Sequence, residues 1–140
     1  MPKRSFAVLI MMLVTAGCSE TVAAKADPAI GGYALTAANG TTLPAPLPAS
    51  GLILSSTALD GSIFLDKDGT YTGIVELRIV RATGTTIEPY GVRDGIWRRA
   101  TETTLQLLPA TGSETSVLAT TSGSTLTVIS QGISYVYTRK

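Results

Sequence analysis

The chain has 140 residues, of which 11 are basic and 10 are acidic, so its formal net charge is +1 at pH 7. This near-neutral balance argues against a nucleic-acid partner, which requires a clear basic excess. The absence of histidine excludes catalytic pairs of histidine with serine or cysteine, and it removes the commonest zinc ligand. We therefore expect neither an enzyme nor a cofactor or metal.

The N-terminal residues have the organisation of an export signal. Lys3 and Arg4 precede an unbroken apolar run over residues 6–14, which matches the basic and apolar regions of a signal peptide. A helix of these residues is too short to cross a bilayer, which requires about 20 residues.

The apolar run leads directly to the only cysteine of the chain, Cys18. The stretch of residues 15–18 resembles the lipobox of bacterial lipoproteins, with Thr15 at the position where that family usually has leucine. The resemblance implies that residues 1–17 are a signal peptide, that the Cys18 thiol is acylated, and that palmitate and other acyl chains anchor the protein in a membrane. Ser19 after the cysteine implies, by the same resemblance, the outer membrane of the cell envelope.

Two other interpretations of the N-terminus remain open. Cys18 can stay a free thiol, although an unpaired cysteine is a liability in an exported protein. Alternatively, residues 24–26 form an A-x-A pattern, which predicts cleavage after Ala26 and a soluble secreted or periplasmic protein. Cleavage before Cys18 would remove Lys3 and Arg4 and leave nine basic and ten acidic residues.

Residues 18–30 are predicted to be the lipidated cysteine and a flexible tether. The segment is small and polar, and Pro28 disfavours a helix before it. A folded domain is then expected over residues 31–140. About 110 residues are enough for a core of its own without disulfides.

The first half of this domain shows short alternating segments. Tyr33, Leu35 and Ala37 predict a strand, and Asn39 with Gly40 predicts a type I′ turn. Three prolines within residues 44–48 predict a loop outside the sheet, either a spacer or a lid over a pocket.

Further strands are predicted at residues 52–54, 61–65 and 70–81. The turn between the last two carries Asp66 and Asp68, which resemble the start of a calcium loop, but the bidentate glutamate at its twelfth position is missing. A plain turn is therefore predicted there. A crossing loop is expected from Gly84 to Pro89.

The second half repeats short apolar segments at intervals of about 8 to 12 residues, which is typical of an antiparallel meander that closes into a barrel or a sandwich. No helix is predicted. The alternation assigns nine side chains to the interior: Leu65, Val75, Leu77, Ile79, Trp97, Leu105, Leu107, Leu126 and Val128.

Several of these segments together resemble the small bacterial lipocalin-like domains. They are Gly32-Tyr33, Asp68-Gly69-Thr70, Gly95-Ile96-Trp97, Thr104-Leu105, Ser124-Thr125-Leu126 and residues 135–139. The resemblance implies an all-β fold, an antiparallel up-and-down meander closing into a small lipocalin-like barrel of eight to ten strands. Lipocalins proper begin with a Gly-x-Trp motif whose tryptophan packs on an arginine of the last strand. Here Tyr33 directly follows Gly32, and a cation–π contact between Arg139 and Tyr33 is expected in its place.

The charged side chains in the middle of the sequence are interpreted mainly as solvated strand positions that protect edges, namely Arg78, Arg81, Arg93, Arg98 and Arg99. Parity leaves one alternative open, that Arg81 and Arg99 point into the barrel near a rim. Arg81 shares the face of Val75 and Ile79, and Arg99 shares the face of Trp97. An inward arginine must find a carboxylate, a carbonyl or an anionic ligand, because a buried unpaired charge is very costly. The residues predicted for a ligand site or rim are therefore Trp97, Arg99, Arg81, Tyr33 and Arg139.

Three classes of function follow from these features. The leading hypothesis is a monomeric, lipid-anchored module of the cell envelope that binds or interacts without catalysis. The second is a lipocalin-like carrier of a small apolar or anionic ligand. The third is an enzyme that uses carboxylates such as Glu76, Glu88 or Asp94, which requires a convergent pair in a cleft.

Overall fold

The computed structural model describes residues 25–90, 94–110 and 116–140. These ranges contain eleven β-strands: β1 (Gly31–Ala38), β2 (Thr41–Thr42), β3 (Ala45–Leu47), β4 (Ile53–Leu65), β5 (Thr70–Arg81), β6 (Gly84–Tyr90), β7 (Gly95–Arg99), β8 (Thr104–Pro109), β9 (Val117–Ser122), β10 (Thr125–Ser130) and β11 (Ile133–Arg139). Among these described residues, no helix has the length and apolar character needed to cross a membrane.

Eight of the strands close into an antiparallel barrel in the order β1, β11, β10, β9, β8, β7, β5, β4. Closure occurs at β1, where Tyr33 pairs with Arg139 of β11 on one side and with Ile63 of β4 on the other. The predicted all-β barrel is therefore confirmed. We call the end that contains Gly31, Leu65 and Arg139 the base, and the opposite end the mouth.

The three remaining strands, β2, β3 and β6, lie outside the closed circle. β4 and β5 have 13 and 12 residues, and only their base ends pair with barrel neighbours, Leu65 with Gly31 and Thr70 with Ile96. Farther from the base, β3 pairs with β4 and β6 pairs with β5. This second part of the β4–β5 hairpin, with β3 and β6, forms what we call the arm.

The structure corrects two predicted loops and one strand break. Residues 45–47 form β3, with Ala45 and Leu47 buried, and residues 84–90 form β6. Both are edge strands paired on one side only, where a proline can direct its missing N–H away from the sheet. Residues 52–54 and 61–65, predicted as two strands, belong almost entirely to the single strand β4. The type I′ turn is confirmed, since φ is 47° at Asn39 and 78° at Gly40.

The core lies inside the barrel and on the inner face of the arm. Eight of the nine predicted interior side chains are buried, whereas Trp97 is only partly buried and packs against the cluster. The nine predicted side chains did not include the four large tyrosines of the interior, each at most 2% exposed, namely Tyr33, Tyr71, Tyr135 and Tyr137. The polar hydroxyl group makes tyrosine resemble a surface residue in an alternating sequence, although its ring contributes a large apolar area to the core.

Gly95 allows two strands of the barrel to approach closely. A Cβ atom at this position would overlap the carbonyl oxygen of Leu108 and would lie 2.9 Å from Cα of Pro109. Since Gly95 pairs with Pro109 on β8 and with Tyr71 on β5, it stands where three strands meet.

Candidate functional site at the base of the barrel

Four of the five predicted site residues lie toward the base. Tyr33 and Arg139 face each other near the ends of β1 and β11, and Arg99 ends β7 two residues after Trp97. Arg81 does not join them, because it lies at the end of β5 that is farthest from the base, in the arm. The structure therefore separates Arg81 from the other four.

A short segment before β1, which we call the strap (residues 27–30), lies across the base. Ala29 is 2% exposed, and its N–H donates to Oδ1 of Asp27 at 2.8 Å. The N–H of Ile30 donates to the carbonyl of Asp27 at 3.1 Å, which closes a turn. The last four residues of the predicted tether are thus part of the folded body.

Arg99 holds the first residue of the strap. Its Nε and Nη2 atoms each donate to one carboxylate oxygen of Asp27 at 2.6 Å, a bidentate geometry that is stronger than a single contact. Its Nη1 atom donates to the carbonyls of Glu102 at 2.7 Å and Thr101 at 3.3 Å. The hydrogen bonds from Arg99 hold the pKa of the Asp27 carboxyl below its ordinary value, against the opposing effect of partial burial.

Arg139 holds the rest of the strap. Its guanidinium carbon lies 4.8 Å from the centroid of the Tyr33 ring, so the expected cation–π contact is present. Nη1 donates to the carbonyl of Ile30 at 2.9 Å, and Nη2 donates to Tyr33 Oη at 2.6 Å and to the carbonyl of Pro28. Tyr33 Oη in turn donates to the carbonyl of Ala29 at 2.8 Å. Burial raises the pKa of the Tyr33 phenol, so it stays a neutral donor.

Gly31 makes room for this arrangement. Its φ is +136°, and a Cβ atom there would lie 2.9 Å from Nη1 of Arg139. The absence of a side chain at the start of β1 therefore lets the arginine of the last strand reach the strap.

Trp97 fastens β7 to the turn between β4 and β5. Its indole Nε1 donates to the carbonyl of Asp66 at 2.8 Å, and its backbone N–H donates to the carbonyl of Gly69 at 2.7 Å. Trp97 was assigned to the interior, whereas its side chain is only partly buried and packs against the core.

A cavity of about 370 Å³ lies between the strap and the turns that follow β7 and β9. We call it the base cavity. Its walls are formed by Pro28, Ala29, Tyr33, Arg99, Glu102, Thr103, Thr121 and Gly123. Tyr33 and Arg99 were predicted site residues, whereas the threonines and Glu102 were missed because nothing in their local pattern marks them. Trp97 and Arg139 do not line the cavity.

Arg81 forms an ion pair with Glu88 within the arm. Its Nη1 atom lies 2.6 Å from Oε1 of Glu88, and Nη2 donates to Oε2 at 3.3 Å. Thr86 adds a hydroxyl that accepts from Arg81 at 3.1 Å and donates to Glu88 at 2.7 Å. Both arginines have a carboxylate partner, Glu88 for Arg81 and Asp27 for Arg99. The prediction that Arg81 points into the barrel is wrong, because Arg81 lies in the arm.

Within the described ranges, no group of three or more acidic, cysteine or histidine side chains is arranged to hold a metal ion. Cys18, the predicted lipidation site, lies outside the described residues. No protein-family profile, curated protein or solved structure matches the chain.

Proposed function

We propose that this chain is a monomeric, lipid-anchored and non-catalytic binding module of the bacterial cell envelope, attached through acyl chains on Cys18 and carried by the outer membrane. The observation that supports this most directly is the strap, which Arg99 and Arg139 fasten to the base of the barrel. The strap continues the predicted tether, now residues 18–26, whose reach is about 30 Å at roughly 3.4 Å per extended residue. Such a tether keeps the base and its cavity near the membrane.

The disposition of the carboxylates supports a module without catalysis. Glu76 pairs with Pro89 and Glu88 pairs with Leu77 in the β5–β6 register, so the two glutamates lie on opposite faces of the arm. Glu88 is occupied by Arg81. A general acid–base pair requires two groups that converge on one reacting atom, and these two do not.

The start of β1 supports kinship with small lipocalin-like lipoproteins. Gly31, one residue, and then Tyr33 reproduce the spacing of the Gly-x-Trp motif of lipocalins, with tyrosine in place of tryptophan. Arg139 of the last strand packs on the aromatic ring, as the arginine of that family does. The relevant glycine is Gly31 rather than Gly32.

A second candidate function, a carrier of a small ligand in the barrel, is favoured by two phenols. The Oη atoms of Tyr135 and Tyr137 are buried and have no hydrogen-bond partner among the described residues. A buried donor without a partner costs about 1 to 3 kcal/mol, and a ligand with acceptor oxygens would recover this. Burial raises the pKa of Tyr135 to about 12 and that of Tyr137 further, so both phenols stay neutral donors. The same poor solvation makes a charged ligand beside them costly.

Metabolic labelling tests the anchor. Cells that express the chain should incorporate labelled palmitate into it, and the protein should sediment with membranes. Cys18→Ala should abolish both results, whereas Ser19→Ala should retain the label because it leaves the thiol in place. The permanence of the attachment follows from about 0.8 kcal/mol for each buried methylene of the acyl chains. Unlabelled soluble protein that starts at Asp27 would instead establish ordinary secretion.

A further inference from the structure

Arg99 was expected to attract an anion, but its bonds leave little capacity for one. A guanidinium has five N–H donors. Two of those of Arg99 are bonded to Asp27 and two to the carbonyls of Thr101 and Glu102. Asp27 also compensates the charge of Arg99. The guanidinium in the wall of the base cavity therefore has few free donors and no uncompensated charge to offer an anion.

Among the residues that line the cavity, the one charge without an ion-pair partner in the described part of the chain is negative. Glu102 lines the cavity and forms no ion pair with any residue in the described part of the chain, where the ion pairs are Arg81 with Glu88 and Arg99 with Asp27. Its carboxylate adds to the effect of Asp27, whose hydrogen bonds are the main reason that the pKa of Arg99 is raised. Glu102 is therefore close enough to act electrostatically on this wall.

The neighbouring polar groups can accept hydrogen bonds. Thr103 and Thr121 line the same cavity, and the Thr121 hydroxyl donates weakly, at 3.3 Å, to the Thr103 carbonyl, which leaves its lone pairs free. A carboxylate and hydroxyl oxygens among the residues that line one cavity complement an ammonium group, which has three donors and no acceptor. Pro28, Ala29 and the Tyr33 ring provide an apolar wall for attached methylenes.

We propose that the base cavity binds a primary ammonium group, with Glu102 as its counter-ion. The ammonium group belongs either to a small soluble amine or to the headgroup of an ethanolamine lipid. The proposal rests on the proposed function in one respect, since the tether would hold this cavity near lipid headgroups. Glu102 is exposed, so its ion pair is weak, and millimolar affinity for a soluble amine is expected.

A titration followed by nuclear magnetic resonance tests the proposal. The ¹⁵N-labelled mature chain, as purified from cells, is titrated with ethanolamine hydrochloride at constant ionic strength. Saturable shifts are expected at the amides of Glu102, Thr103, Thr121 and Gly123. Glu102→Gln should weaken binding about fivefold, the loss of one exposed ion pair of about 1 kcal/mol. Glu76→Gln removes an exposed carboxylate on the arm and should leave the binding unchanged.

Two comparisons define the ligand chemistry. Tetramethylammonium chloride, which has the charge but no N–H donor, should bind much more weakly than ethanolamine. Phosphatidylethanolamine nanodiscs should reproduce the shifts without added amine, and phosphatidylcholine nanodiscs should not, if the headgroup is the source. Shifts that appear only on addition of ethanolamine, and in neither type of nanodisc alone, assign the site to a soluble amine.

The absence of saturable shifts with ethanolamine, unchanged affinity in Glu102→Gln, or preferential binding of acetate would each overturn the proposal. None of these results depends on palmitate labelling. Failure of the ammonium site is therefore distinguishable from failure of the lipid anchor.

Discussion

The buried tyrosines differ in what surrounds the phenol oxygen. Tyr33 Oη accepts from Arg139 and donates to the carbonyl of Ala29. The Oη atoms of Tyr135 and Tyr137 have no such partners among the described residues. Removing a hydroxyl that has buried partners leaves those partners unsatisfied, whereas removing an unpaired hydroxyl removes a desolvation cost.

We therefore expect opposite effects from the same substitution. Tyr33→Phe should lower the free energy of unfolding by about 1 to 2 kcal/mol, because it leaves the Ala29 carbonyl without its donor. Tyr137→Phe should leave stability unchanged or raise it. Urea unfolding followed by circular dichroism measures both. An equal loss in the two variants would mean that Tyr137 Oη has a partner, such as a bound ligand, and would favour the carrier hypothesis.

At this scale, the sequence identified charged residues better than their partners. The alternation in β5 and β7 singled out Arg81 and Arg99 as side chains that would require a counter-charge if they faced inward, and each has a carboxylate partner. Asp27 was not recognisable as a partner, because it lies 72 residues from Arg99 in the chain and within a segment that resembles a tether. Glu102 was not recognisable either, because a turn residue has no periodicity that indicates what it faces.

The strands show a similar limit at the scale of elements. Local alternation located most of the barrel strands, because it reports which residues share a face. It failed for β3 and β6, since prolines that exclude a central strand are tolerated at an edge. Which strands are edges depends on how the barrel closes, and closure joins residues that are far apart in sequence.

The junction of β5, β7 and β8 provides a test of the strand packing. Gly95→Ala should lower the free energy of unfolding by about 1 to 3 kcal/mol, the usual cost of overpacking, because the new Cβ would overlap the backbone of β8. Gly32→Ala is the matched control, since its Cβ would meet only the Phe64 ring at an ordinary 3.5 Å. Thermal unfolding compares the two variants, and similar losses in both would contradict the close approach at Gly95.

For the molecule as a whole, the sequence predicted the fold class and the single barrel. The predicted start of the folded body, residue 31, was less accurate, because residues 27–30 are bonded to the barrel. Residues 27–30 have no strand pattern, and their order derives from Arg99 and Arg139, which approach from the other end of the chain. No local signal reports such a contact.

The strap should make global stability depend on pH. Bonding to Arg99 lowers the pKa of Asp27 in the folded state from its ordinary value of 3.8. The ion pair therefore stabilises the fold fully above that value, and this contribution is lost as the pH falls through the lower folded-state pKa. Asp27→Asn should lower the free energy of unfolding at pH 7 by about 1 kcal/mol, because the pair is partly exposed.

Urea unfolding at pH 7 and at about pH 2.5 to 3 measures this effect. The lower pH lies below the ordinary pKa of an aspartate. The difference between wild type and Asp27→Asn should shrink at the lower pH, whereas Glu76→Gln should show no such difference at either pH. Since the pKa of Glu88 is also lowered, mainly by its bond to Arg81, both proteins should retain some acid sensitivity. A difference that is the same at both pH values would assign the effect of Asp27 to its hydrogen bond with Ala29 rather than to its charge.

The pairing of β1 with β11 also determines the order in which this protein can fold. Tyr33 and Arg139 are separated by 106 residues, so the contact that closes the barrel carries the loop-closure entropy of a long segment and is expected to form late. Proteins dominated by such distant contacts fold in milliseconds to seconds rather than microseconds. Because Arg139 also binds the strap, docking of the strap has to wait for β11. The strap and the barrel are therefore expected to be completed in the same late step.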